Sequence, residues 1–180
     1  MKKSLYTLLP ALLLAFILPF LASGTMDLHA ITPTENLIPA ANPAYPVGTD
    51  ALLAADHMPG MKGAIARISG AFDTVLYAIN YTRSDTAEVI KDHRWIIQEE
   101  IKGHGEVPYK AGDVVTLLPG HISAMGGEGV QAEIVEVIPG VAYMVDFTPT
   151  DGTERVINHQ WLSEAELMPY GTLIGSPCCK

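Results

Sequence analysis

The 180-residue chain has almost no cysteine. Its two, Cys178 and Cys179, are adjacent at the carboxyl end. Neighbouring alpha carbons lie about 3.8 Å apart, too close for an unstrained disulfide, so no cross-link staples the body of the protein. Basic residues are also scarce, with 11 Lys and Arg against 20 Asp and Glu and a net charge of −9. That balance repels nucleic acid and anionic membrane surfaces, excludes a nucleic-acid partner and favours cations. Catalytic signatures are missing too: the chain has no Gly-x-Ser-x-Gly turn, His-Glu-x-x-His helix, phosphate-binding loop or dinucleotide fingerprint. The two thiols have no evident partner base, which argues against an enzyme; a soft-metal tail is the other use for them.

What the chain has is a duplication. Tyr45, Gly48, His57 and Met61 recur 64 positions later as Tyr109, Gly112, His121 and Met125. Past a Gly-rich loop the offset becomes 66, and Ala66, Ile68, Tyr77, His93, Trp95 and Glu100 recur as Ala132, Ile134, Tyr143, His159, Trp161 and Glu166. Units of this length suit two small domains rather than a solenoid. Without disulfides each is near the lower size limit for folding alone, so packing of one on the other is expected.

The amino terminus reads as a secretory signal over residues 1–24. Lys2 and Lys3 precede an apolar run from Leu5 to Leu21, and Ala22-Ser23-Gly24 supplies small residues for cleavage. An uncleaved anchor, the one route to a membrane, is the alternative. Thr25 stands where a lipoprotein would carry Cys. Residues 25–44, with Pro33, Pro39 and Pro43, read as a solvated linker. Repeat 1 then spans 45–102, repeat 2 spans 109–168, and 169–180 form a tail.

Within repeat 2, Val114 to Leu118, Val130 to Ile138, Val141 to Phe147 and Arg155 to Asn158 are short, rich in β-branched residues and bounded by Gly, Pro or Asp. Ala132 to Val137 alternates apolar with polar. The pattern predicts an all-β protein of two tandem small SH3-like antiparallel barrels, with an OB-type barrel fitting nearly as well.

His57-Met58-Pro59-Gly60-Met61-Lys62-Gly63-Ala64, Thr150-Asp151-Gly152 and the closes His93-Arg94-Trp95 and His159-Gln160-Trp161 resemble the YdhK-like family, a bacterial tandem domain of unknown function on secreted proteins and lipoproteins. The resemblance covers nearly all of residues 45–168. It implies an extracytoplasmic pair of small β domains, met beside metal-resistance functions, and names no reaction. The chain departs from the pattern at Thr25 and in its second loop, His121-Ile122-Ser123-Ala124-Met125.

In chemical terms, His57, Met58 and Met61 place an imidazole and two thioethers in five residues, a donor set suited to copper as Cu(I). His121 and Met125 echo the outer pair. The competing reading makes the methionines apolar plugs for the barrel end. His93 with Trp95, and His159 with Trp161, fall on one face if extended, either as second-shell support for such a site or as core anchors. Tyr77 and Tyr143 read as packing residues with tethered hydroxyls. The acids Glu99, Glu100, Glu164 and Glu166 read as a solvated face, or as hard oxygen ligands. The sequence thus leads to an exported, non-catalytic metal-binding protein. Its rival is a cell-envelope module whose aromatic residues groove a peptide or glycan.

Overall fold

The computed structural model describes residues 32–118, 125 and 129–171. The expected signal, His121 and the two cysteines lie outside the described residues.

Among the described residues seven strands form one antiparallel sheet: β1 (Asp50–Leu53), β2 (Ile65–Thr82), β3 (Val89–Ile97), β4 (Val114–Thr116), β5 (Gln131–Phe147), β6 (Val156–Leu162) and β7 (Leu167–Pro169). The all-β expectation is met. Two closed barrels, one per repeat, are not what the chain builds: the sheet is open, in the order β4-β5-β2-β1-β7, with β3 on β2 and β6 on β5.

The difference begins at Pro139-Gly140. The sequence reads this pair as a turn between two strands, yet β5 runs straight through it and pairs with β2 from Ala66↔Phe147 to Tyr81↔Ala132. Gly140, at φ +150°, accepts a backbone setting that side chains disfavour, and its cross-strand neighbour is Thr74. Thr74 and Gly140 are equivalent positions of the two repeats, so a local two-fold passes between them. The register skips Ser69 on β2 and Val135 on β5, again equivalent positions. These bulges bend both long strands alike.

Because β2 and β5 are each shared between two ends of the sheet, the cores interleave. One cluster joins Leu53, Met61, Ala66 and Ile68 to Tyr143, Val145, Phe147, Leu162 and Leu167. A second joins Tyr77, Ile79, Tyr81, Ile96 and Ile101 to Val115, Leu117, Met125, Ala132 and Ile134. A third, between them, gathers Leu37, Leu76, Trp95, Ile97, Ala142, Met144 and Trp161. Each core therefore draws residues from both repeats.

Residues 32–44, expected as a solvated linker, are laid on the sheet instead. Leu37 is buried in the central cluster, Asp73 N–H donates to Ile38 O at 2.8 Å, and Ala40 N–H donates to Ala71 O at 3.0 Å. Exposed Pro33 and Pro39 hide this segment's buried apolar anchor, Leu37, from a composition-based reading. Among the described residues no helix is long and apolar enough to cross a membrane.

Candidate functional site

Both closes of the repeats end in a short 3-10 turn, Gln98–Glu100 and Glu164–Glu166. In each, the last glutamate reaches back to the backbone N–H three residues earlier: Ile97 N–H donates to Glu100 Oε2 at 2.9 Å and Ser163 N–H to Glu166 Oε2 at 2.8 Å. The spacing Ser163-x-x-Glu166 is that of a capping box, the signal that could have marked these acids as structural rather than solvated. Glu100 is 4% exposed, so the expectation of a solvated face fails there.

The two carboxylates then cross between repeats. Trp95 Nε1–H donates to Glu166 Oε2 at 2.7 Å, and Trp161 Nε1–H donates to Glu100 Oε1 at 3.2 Å. Both indoles are buried in the central cluster. They are core anchors, and among the described residues the one face that meets a cation is that of Trp95, with the Arg94 guanidinium carbon 4.8 Å from its centroid.

Thr32 donates its hydroxyl to Glu100 Oε1. On Glu166 the first oxygen meets His57, whose Nε2 lies 2.6 Å from Oε1. Burial raises the Glu166 carboxyl, but the bonds and charge of His57, with the Ser163 and Trp95 donors, outweigh it and hold the group at about 2. A carboxyl whose folded value lies below its unfolded one stabilises the protein above the unfolded value and stops doing so as pH falls through the folded one. The depression is worth roughly 3 kcal/mol, which partial solvent access reduces to about 2. Urea unfolding at stepped pH should show Glu166→Gln less stable than the parent at pH 6. That gap should close between about pH 4.5 and pH 2, whereas a constant gap would assign the loss to packing alone.

The loop that carries His57 is clamped by the other repeat. Thr150 N–H donates to Gly60 O at 2.8 Å, and a Cβ on Gly60 would meet Pro149 Cβ at 2.8 Å and Asp151 Cγ at 2.9 Å. With φ at +74°, only glycine suits the position. The clamp sends Met61 inward: it is 0% exposed in the first core, and Met125 is 1% exposed in the second. As an outer ligand of a loop site, Met61 is therefore corrected to a plug sealed in the first core, whereas Met125 packs in the second core and also borders the cleft described next.

Three of the imidazoles border one cleft. A cleft of about 440 Å³ is lined by Asp56, His57 and Met58 from the loop after β1, by Tyr81 of β2, by Asp92, His93 and Arg94 of β3, and by Met125, His159 and Gln160. It takes side chains from both repeats. Asp92 and Asn158, at φ 53° and 52°, stand one residue before His93 and His159, and Asx residues are the side chains that tolerate this setting. Their N–H groups go to Asn80 Oδ1 at 3.0 Å and Asp146 Oδ1 at 2.8 Å. The resulting break in alternation lets each His line the cleft while the Trp two residues on turns to the core. His57 and His159 have ring centroids 6.1 Å apart. Arg94 is held by Asp92 and Glu136 at 3.1 and 2.8 Å, closing one side of the opening with paired charge.

Tyr77 and Tyr143 behave as read: both are fully buried, Tyr77 Oη accepts from Tyr109 N–H at 3.1 Å and Tyr143 Oη from Tyr45 N–H at 3.4 Å. Burial pushes both phenols up.

A family model described as "Protein of unknown function (DUF1541)" matches residues 47–98 and 111–164. "Uncharacterized protein YdhK" of Bacillus subtilis (strain 168) is 41% identical over 145 residues, covering 81% of this chain and 67% of its own. A crystal structure of the DUF1541 family protein ydhK from Bacillus subtilis matches with a TM-score of 0.73 at 39% identity, over 81% of this chain and 99% of that one. The solution structure of the ydhK C-terminal domain matches at 0.63 and 41% identity, over 68% and 92%. With both repeats matched in register and the same fold in these relatives, the chain belongs to the DUF1541 family.

Proposed function

We propose that this is an exported, non-catalytic protein that holds a soft transition-metal ion, copper as Cu(I), in the cleft between its interleaved repeats. The observation that supports the reading is the convergence of His57, Met58, His93 and His159 on one cavity. Metal–nitrogen bonds are about 2.0 Å long, so two imidazoles aimed at one ion sit with ring centres roughly 6 Å apart. His57 and His159 stand at that separation. Met58 adds a thioether at the rim, a donor that selects Cu(I) over harder ions.

Among the described residues no group of three His, Cys, Asp or Glu side chains forms a metal cage. The reading has one site shared by two repeats in place of one site per loop. The acidic charge of the chain concentrates cations near it. A groove for an envelope peptide or glycan is the lesser reading, because it asks for exposed indole faces and both indoles are buried.

The test is titration of the chain lacking residues 1–24 with Cu(I), Cu(II) and Zn(II). His57→Ala and His159→Ala should each weaken Cu(I) binding at least tenfold, and Met61→Ala should lower stability with little change in affinity. Undiminished Cu(I) binding by the His57→Ala, His159→Ala double variant would overturn the assignment.

A further inference from the structure

We infer that Glu166 is a positioning residue for the cleft: it accepts the Nε2–H of His57 and so fixes the imidazole in the tautomer whose Nδ1 lone pair is left for a ligand. The inference rests on the reading of the cleft as the binding site.

A neutral imidazole has one donor and one acceptor nitrogen, and an ionised carboxylate can only accept. At 2.6 Å from Glu166 Oε1, His57 Nε2 must therefore carry the proton. The carboxylate cannot turn away to relax this demand. Its other oxygen takes Trp95 Nε1–H at 2.7 Å, Ser163 N–H at 2.8 Å and Ser163 Oγ–H at 2.9 Å, donors from both repeats. Glu166 is thus aimed before any ligand arrives. Histidines that bind metals commonly give their second N–H to a carboxylate, which sets the ring and raises its basicity. In the opposite half Glu100 takes the equivalent indole and backbone donors, together with the hydroxyl of Thr32.

The arrangement makes a specific demand on Glu166→Gln. Trp95 and Ser163 both donate at Oε2, so the amide oxygen of the glutamine settles there and its NH2 faces His57. An amide donor pointing at Nε2 requires a lone pair on that nitrogen, which inverts the tautomer.

Long-range 1H–15N correlation of His57 in the 15N-labelled chain lacking residues 1–24, at a pH where the ring is neutral, reads the tautomer directly. The parent should show the proton on Nε2, and Glu166→Gln should move it to Nδ1. Ser163→Ala, which removes one hydroxyl donor, should leave it on Nε2. Cu(I) affinity should fall 10- to 100-fold in Glu166→Gln. A parent with its proton on Nδ1 overturns the inference whether or not the glutamine variant folds, and so does an unchanged tautomer in a folded Glu166→Gln. Failure of Cu(I) to bind the parent while the tautomer pattern holds would remove the metal and leave the positioning role standing.

Discussion

Replacing Trp161 with alanine is expected to cost about 3–5 kcal/mol of stability, and Trp95→Ala a similar amount. Both indoles are fully enclosed in the cluster that lies between the two mixed cores, where Trp161 meets Phe72 edge-on at 5.9 Å. The truncation empties a site lined by Leu76 and Ile97 from one repeat and Ala142 and Met144 from the other, none of which can collapse without shifting β2, β3 or β5. A second loss adds to the cavity. Trp161→Ala removes a donor from Glu100, a carboxylate 4% exposed that water reaches poorly. Trp161→Phe refills part of the volume but not the donor, so it should fall between the parent and the alanine variant. Domains of this size are stable by only about 5–15 kcal/mol, so the alanine variants should lie near the edge of folding at 37 °C. Urea unfolding followed by circular dichroism measures the effect, and a loss below about 1 kcal/mol for Trp161→Ala would show that the central cluster does not join the halves.

Separating the repeats should have a larger effect still. Expressed alone, neither residues 45–102 nor residues 103–171 should form a folded monomer, and an equimolar mixture should regain the sheet as a one-to-one complex. In residues 45–102, Leu53, Met61, Ala66 and Ile68 lose Tyr143, Val145, Phe147, Leu162 and Leu167 as their packing partners. At the other end Tyr77, Ile79 and Ile96 lose Val115, Leu117, Ala132 and Ile134. What remains is β2 paired with β1 at one end and with β3 at the other, nowhere more than two-stranded, and ribbons of that kind do not hold in water. The match to the ydhK C-terminal domain agrees with this view, since it extends over 68% of the chain, more than either repeat supplies. Size-exclusion chromatography with circular dichroism decides it, and a folded monomer of residues 45–102 would contradict the interleaved core.

The strands themselves were legible because their cause is local. Ala132-Glu133-Ile134 alternates in burial as its sequence alternates in polarity, and β-branched residues fill the segments expected of them. The anchoring tryptophans and tethered tyrosines were legible for the same reason. Partner choice was not, because equivalent residues in two copies satisfy one another equally well within a repeat or between repeats. Whether Pro139-Gly140 turns the chain or carries it onward depends on β2 lying alongside, a contact with no trace in the local pattern. The His and Met residues show the same division. Their chemistry was readable, but the clamp of Thr150 on Gly60 that buries Met61, and the Asp92 and Asn158 kinks that bring His93 and His159 to the cleft, are long-range or backbone facts. Glu166 was passed over since a glutamate among other acids near a chain end reads as solvated. Its spacing from Ser163 was the one clue.

The interleaving of the two repeats through β2 and β5 underlies both the shared cleft and the stability argument, and engineered disulfides test it at both ends of the strand pair. With Cys178 and Cys179 changed to Ser, the pairs Arg67→Cys with Asp146→Cys and Asn80→Cys with Glu133→Cys place thiols on directly opposed residues. Opposed alpha carbons in an antiparallel pair are about 4.5–5.5 Å apart, inside the disulfide range of about 4.4–6.8 Å. Both pairs should oxidise within one chain, in a folded monomer, as read by non-reducing mass analysis. Failure of either pair to close within the chain, or closure only between chains, would contradict the paired full-length strands on which the account stands.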